Sequence, residues 1–166
     1  MTQTLFFTCD LCDAHEGDRS GAFRVLPPVF QRFGAEQAFC GPVHTVRAPE
    51  DNSRVREAVN SPGEGRVLVV DGAGLLRFGL VGGNLALAAA RNGWAGIVVN
   101  GCVRDVAELR AAGIPIRALA AMPLRTPKRG EGQAGEPVQI QGVWVRPGDW
   151  LYADEDGIVV ADRALE

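Results

Sequence analysis

Three stretches of this chain carry residue types at spacings that suit chemistry. The first is Gly82-Gly83-Asn84-Leu85. A glycine pair where a helix begins leaves backbone N–H groups and the positive end of the helix dipole open to an anion. It also lets a ligand approach the backbone closely. The second is Asn100-Gly101-Cys102-Val103-Arg104-Asp105-Val106-Ala107-Glu108. Arg104 can grip a carboxylate through paired hydrogen bonds or stabilise a developing oxyanion. Asp105 offers hard oxygen ligands to a divalent cation. Glu108 follows one helical turn later, so the two carboxylates share a face. Each residue also has a plainer reading: Asp105 as an ordinary helix N-terminal carboxylate, Glu108 as its capping partner, Arg104 as a solvated cation. The third stretch, Asp71-Gly72-Ala73-Gly74, superficially resembles a nucleotide or S-adenosylmethionine loop. It lacks a third glycine and no helix begins directly after it, so the signal is weak.

The scarcity of other groups narrows the chemistry. Lys128 is the single lysine among 17 lysines and arginines, so any Schiff-base mechanism must use it. It sits in Thr126-Pro127-Lys128-Arg129-Gly130, which reads as an exposed loop, with a substrate lid as the other reading of Arg125, Lys128 and Arg129. The two histidines, His15 and His44, are too few for a histidine-rich zinc site. Cys9 and Cys12 have CxxC spacing but no second pair, and read as part of a helix capped by Thr8 or Asp10. Asp71 reads as structural, His44 as a core or surface residue, His15 as a helix-end residue, and Trp94 and Trp150 as packing residues.

These groups need a scaffold. Arg66–Asp71 and Gly96–Asn100 are continuous apolar runs of strand length, and Ile114–Leu119 is a third. Asn84–Asn92 and about Arg104–Ala112 read as helices, stopped by Gly93 and Gly113. Strand, helix, strand, helix, strand with unbroken apolar runs argues for a parallel sheet covered by helices. Arg104 and Asp105 then lie just beyond the carboxyl end of a buried strand, where open α/β sheets bind ligands. Upstream, Thr8–Ala14 and Ser53–Val59 read as helices, Val25–Phe33 as holding a helical turn, and Phe39–Val46 as a strand. Pro123–Pro137 is a long Gly/Pro/charged loop. Short strands follow at Val138–Ile140, Val143–Val145, Trp150–Tyr152 and Ile158–Val160, forming an antiparallel β segment. With 166 residues, 46% hydrophobic and 22% charged, the chain suits one α/β domain. A net charge of −3 argues against a general nucleic-acid surface. Met1–Phe7 lacks the basic and apolar features of a signal peptide, no run reaches membrane-span length, and the expected location is cytoplasmic.

At these residues the chain resembles the family that joins the regulator of ribonuclease activity A to the 4-hydroxy-4-methyl-2-oxoglutarate aldolases. The resemblance runs from Thr8-Cys9-Asp10-Leu11-Cys12-Asp13-Ala14 to the carboxyl end. It is strongest over Gly65–Asp71, Asn92–Asp105 and Gly148–Ile158. It implies a β/β/α swivelling-type domain, a ring-shaped homotrimer or pair of trimers with sites at subunit interfaces, and a lyase dependent on Mg²⁺ or Mn²⁺. The implied reaction cleaves 4-hydroxy-4-methyl-2-oxoglutarate into two pyruvates, with oxaloacetate decarboxylation through the same pyruvate enolate. Gly82, Gly83, Asn84 and Leu85 would bind the pyruvoyl carboxylate, Arg104 the substrate oxygens, and Asp105 the metal. The named aldolases resemble a pattern in which an Asp precedes the Arg-Asp pair by twenty intervening residues. Here that position is Gly83, and the chain fits a related pattern in which Glu108 is the substitute candidate for proton transfer. The other activity this resemblance implies is a non-catalytic regulator that binds an RNA-degrading endonuclease. Such regulators tend to lack the Asp after the Arg, which is present here as Asp105.

Overall fold

The computed structural model describes residues 5–165. Of the amino-terminal stretch weighed as a leader, residues 1–4 lie outside the described residues. The chain runs α1 (Thr8–Ala14), β1 (Phe23–Val25), β2 (Gln31–Gly34), β3 (Phe39–Arg47), α2 (Ser53–Val59), β4 (Val67–Asp71), β5 (Gly79–Val81), α3 (Gly83–Arg91), β6 (Gly96–Val103), α4 (Val106–Ala111), β7 (Pro115–Ala121), β8 (Gln133–Ala134), β9 (Val138–Ile140), β10 (Val143–Val145), β11 (Trp150–Ala153) and β12 (Ile158–Ala161). It is a mixed α/β fold. Among the described residues no helix is long and apolar enough to cross a membrane.

The sheet order is β1-β12-β11-β3-β4-β6-β7-β2, with β5 added beside β6 and β8 beside β3. Its centre is parallel: β3 with β4, β4 with β6, and β6 with β7. The expected parallel sheet is therefore present. Antiparallel strands flank it, β2 on β7, and β11, β12 and β1 in succession beyond β3. The unbroken apolar runs have a direct cause. Leu68, Val70, Ile97 and Val99 face one core with Val55, Val59, Ala86 and Leu109 of the helices. Val67, Val69 and Val98 face a second core with Val138, Ile140, Val145, Leu151 and Val160. Alternate side chains leave the sheet on opposite faces, and both faces are covered, so Val67–Val70 and Ile97–Val99 are apolar throughout.

Three expectations need correction. Val25–Phe33 holds no helical turn; Phe23–Val25 and Gln31–Gly34 are strands whose partners are β12 and β7, far away in sequence. The carboxyl-terminal strands do not form one segment. β9 and β10 make a separate two-stranded sheet, while β11 and β12 join the main sheet. The turn between β9 and β10 is tight because Gln141 and Gly142 both adopt positive φ, 51° and 80°. Helix α1 takes no side-chain cap from Thr8 or Asp10. Instead the Asp154 carboxylate accepts the Thr8 N–H and hydroxyl, each at 2.7 Å. These bonds, with backbone N–H donors from Asp156 and Gly157, outweigh burial and hold the Asp154 carboxyl below its ordinary range.

Candidate active site

The glycine turn and the Arg-Asp pair meet because two parallel strands end side by side. Strand β5, which the sequence reading passed over, runs beside β6 and delivers the chain into Gly82. β6 continues to Val103, three residues past the expected end at Asn100. Arg104 N–H then bonds to the Val81 carbonyl at 2.9 Å, which sets the pair directly against the turn.

Asp105 occupies the position before α4 with φ 59° and ψ 48°, the left-handed region. That region costs most L-residues about 1–2 kcal/mol, and Asp or Asn least. Its carboxylate makes no capping bond to its own helix. Oδ2 instead accepts the Gly83 N–H at 3.0 Å, from 22 residues upstream. The capping reading of Asp105 thus fails, and the backbone conformation turns the side chain toward the glycine turn. Arg104 lies alongside, with Nε 3.8 Å from Asp105 Oδ1. That is too long for a hydrogen bond, and Nε is buried without a partner among the described residues. A buried unpaired guanidinium donor is costly unless something accepts from it.

Glu108 sits over the same turn. A Cβ built at Gly83 would overlap Glu108 Oε2 and come within 2.7 Å of the Glu108 Cβ. A Cβ at Gly82 would lie 2.7 Å from Asp105 Oδ2 and 3.2 Å from Arg104 Cγ. The approach is tightest at Gly83, where the Glu108 Cβ as well as its carboxylate stands in the way; at Gly82 the nearest atom is the movable carboxylate oxygen of Asp105. Helix α3 starts at Gly83, and its first return bond runs from Ala86 N–H to the Gly82 carbonyl at 3.0 Å. Asn84 and Leu85 therefore stand in the first turn, where N–H groups have no intrahelical acceptor. The arrangement can hold a carboxylate on backbone N–H groups, polarise an adjacent oxygen with Arg104, and move a proton at Glu108.

The donor set also suits a small hard cation. Among the described residues no three His, Cys, Asp or Glu side chains gather as a closed metal cage. One or two carboxylates plus water and substrate oxygens is nonetheless the usual environment of Mg²⁺. Asp105 is oriented by the Gly83 N–H through one oxygen, which leaves the other available.

The remaining candidates resolve differently. In Asp71-Gly72-Ala73-Gly74 the N–H groups of Gly72 and Gly74 go to the Asn100 carbonyl, and that of Ala73 to Asp71 Oδ1. The next N–H, of Leu75, returns to Gly72. This turn has no donor left for a cofactor, and Asp71 is structural, also accepting from Asn100 Nδ2 at 3.2 Å. His15 ends α1, with Nδ1 2.8 Å from the Leu11 carbonyl and its ring stacked on Phe23. His44 is half-buried on β3, and burial followed by the nearby Arg66 lowers its pKa. Trp94 is buried, with its indole N–H on the Ser61 carbonyl. Sequence reasoning missed Asp51, Asn52 and Ser53, which tie the long loop to the site. The signal was present, because an Asp two residues before a Ser at a helix start is a local N–H acceptor.

Residues 8–160 match the model of the RraA-like family, described as Aldolase/RraA. A relative from Albidiferax ferrireducens, described as "Putative 4-hydroxy-4-methyl-2-oxoglutarate aldolase", is 67% identical and is aligned over 96% of this chain and 97% of its own. Among solved structures, the RNA-processing inhibitor RraA from Thermus thermophilis superposes with a TM-score of 0.91 at 44% identity, covering 98% of this chain and 96% of that one. A Geobacillus kaustophilus protein described as an S-adenosylmethionine:2-dimethylmenaquinone methyltransferase superposes at 0.87 with 40% identity, over 96% and 97%. With the family model spanning nearly the whole chain, and relatives this similar matching it from end to end, the protein belongs to the RraA-like family.

Proposed function

We propose that this chain is a divalent-metal-dependent lyase that cleaves 4-hydroxy-4-methyl-2-oxoglutarate into two pyruvates and decarboxylates oxaloacetate. The observation that carries the reading is the convergence of Asp105, Glu108 and the unpaired Arg104 Nε on one glycine turn. In this reading the N–H groups of Asn84 and Leu85 hold the pyruvoyl carboxylate. Arg104 faces the 2-oxo oxygen and stabilises the negative charge that develops there. Glu108 accepts the 4-hydroxyl proton, directly or through one water, as the C3–C4 bond breaks. The bonding electrons pass to the 2-oxo oxygen, and C3 takes up a proton to complete the second pyruvate. Asp105, oriented by Gly83, would hold Mg²⁺ or Mn²⁺ with substrate and water oxygens. When bound, the ion supplies Lewis-acid stabilisation of the enolate charge. Oxaloacetate gives the same enolate when its C4 carboxylate leaves as CO₂.

The test is coupled pyruvate release from oxaloacetate, with and without Mg²⁺, beside a protein-free control at the same Mg²⁺ concentration. Release well above that control, abolished by chelation, is expected. Rates equal to the control overturn the lyase reading. Lys128→Ala should leave kcat within severalfold of the parent, and borohydride should trap no pyruvate on the protein. A stoichiometric adduct at Lys128 would replace the metal mechanism with an imine.

We also propose assembly as a trimer or a pair of trimers. Leu75, Leu76 and Leu124 are large apolar side chains left 40%, 53% and 59% exposed in the single chain, which supports a covered face. Light scattering that finds a stable monomer at micromolar concentration contradicts this. The second functional reading, a regulator that binds an RNA-degrading endonuclease, draws on the likeness to the Thermus thermophilis inhibitor. Inhibition of such a nuclease by the purified chain, without pyruvate release, would favour it.

A further inference from the structure

We propose that Asp51 is a positioning residue, whose buried carboxylate holds residues 126–131 in one arrangement and so keeps Lys128 beside Asn84 and Leu85, in the first turn of α3. The inference rests on the reading of that turn as the site of the substrate carboxylate.

Asp51 is 2% exposed. No lysine or arginine forms an ion pair with it among the described residues, so N–H and O–H donors alone compensate its charge. Ser53 supplies two, its N–H at 2.8 Å and its hydroxyl at 2.5 Å, both to Oδ1. Oδ2 accepts the N–H of Arg129 at 2.6 Å and of Glu131 at 3.3 Å, from 78 and 80 residues away. Burial pushes the carboxyl up, and these donors more than reverse it, to about 2. The carboxylate is therefore ionised across the neutral range. Its contribution to stability is complete above the ordinary carboxylate pKa and is lost as pH falls toward 2. A local helix-start role would need only the Ser53 donors. The Oδ2 contacts reach the loop.

The neighbours of Asp51 point the same way. Asn52 is held on both sides: its Nδ2 donates to the Leu80 carbonyl at 3.0 Å, and its Oδ1 accepts the Thr126 hydroxyl at 2.9 Å. Leu80 lies two residues before Gly82. Ser53 Oγ accepts the Gly130 N–H at 3.2 Å, and Arg54 donates to the Gly130 carbonyl at 2.7 Å. The loop is also bridged at Gly79 N–H to Leu124 O, 2.7 Å. Thr126 and Arg129 are thus fixed on either side of Lys128. Lys128 lines a cavity of about 300 Å³ with Arg56, Asn84 and Leu85, and no carboxylate lines it. Residues 126–131 carry no large apolar side chain to order them, so these polar bonds must offset their conformational entropy. What they fix is a cation next to the first turn of α3.

The experiment uses the full-length protein with Mg²⁺. Asp51→Asn keeps the shape but turns an acceptor into an NH₂ group facing two backbone N–H donors. Trypsin cleavage after Lys128 and Arg129, located by mass spectrometry, should quicken about tenfold or more relative to other sites, because the loop opens locally. The KM for oxaloacetate should rise about fivefold, the scale of one partly screened charge contact, with kcat within about twofold. Lys128→Ala should raise KM equally, and the double variant no further, because both act through one contact. A general structural defect would not show that non-additivity. Ser53→Ala removes only the Oγ bonds and should show the same pattern at smaller size; it decides the matter if Asp51→Asn does not fold. Unchanged cleavage, or KM effects of Asp51 and Lys128 variants that multiply independently, overturns the proposal. If the parent releases no pyruvate, the lyase reading fails while cleavage still judges the latch.

Discussion

Asp105→Asn folds as the parent does and loses aldol cleavage and oxaloacetate decarboxylation together, by about 10²-fold or more, the scale of removing a major electrostatic contact to the transition state. The structure makes Asn a clean probe. Residue 105 has φ 59°, which Asn tolerates better than any other non-glycine replacement. An Asn side-chain oxygen can still accept the Gly83 N–H that Asp105 Oδ2 now receives at 3.0 Å. What is removed is one negative charge from the group that would hold the cation, and an amide oxygen holds a hard divalent ion less well than a carboxylate. The two reactions fall in parallel because they share the enolate. The measurement pairs metal-dependent kcat/KM for both substrates with the melting temperature. Undiminished activity in a well-folded variant would assign Asp105 a purely local role and remove it as the group that holds the cation. Asp105→Ala is the weaker experiment, because alanine in the left-handed region adds strain to the lost charge.

Glu108→Ala should cost about 10²-fold in kcat with KM little changed, the usual range for loss of a positioned proton-transfer group. The stronger test moves the carboxylate. Gly83→Asp alone places a side chain where the Glu108 carboxylate lies, and should depress both activity and stability. Gly83→Asp/Glu108→Ala removes the overlapping carboxylate, leaves only the 2.7 Å contact with the Cβ at position 108 for a small shift of α4 to relieve, and supplies a carboxylate from the other side of the same gap. This double variant should recover at least about tenfold over Glu108→Ala, a non-additivity expected only of residues sharing one site. A double variant no better than the product of the two single variants would show that Glu108 acts by its own placement on α4 and not as the counterpart of an acid at position 83.

The elements that position these groups were legible to different degrees. Val67–Asp71 and Gly96–Val103 are apolar on both faces, and that pattern signals a strand covered on both sides. Helix α3 was equally legible, being rich in alanine and leucine and ending before Gly93, which takes φ 80°. Phe23–Val25, Gln31–Gly34 and Gly79–Val81 carry no such pattern. Each is three or four residues long and is a strand only because β12, β7 or β6 offers it a partner.

The site divides along the same line. Gly82-Gly83 at a helix start, Arg104-Asp105 after a buried strand, and a single lysine in a Gly/Pro loop are local facts of the sequence. They determined the chemistry available: backbone N–H groups for an anion, a guanidinium for an oxyanion, hard oxygens for a cation, and one amine in a loop whose placement the sequence leaves open. Tertiary structure alone decided which side chains share a space. Asp105 reaches back 22 residues to Gly83 because β5 and β6 run parallel and end together. Glu108 stands over Gly83, so the missing side chain at one position is filled from another helix. Asp51 takes donors from 78 and 80 residues downstream, a link that no local pattern encodes. The physical reason is common to all three. Propensity and hydrophobic period act over a few residues, whereas hydrogen-bond satisfaction and excluded volume act between whatever chain segments the sheet topology brings into contact.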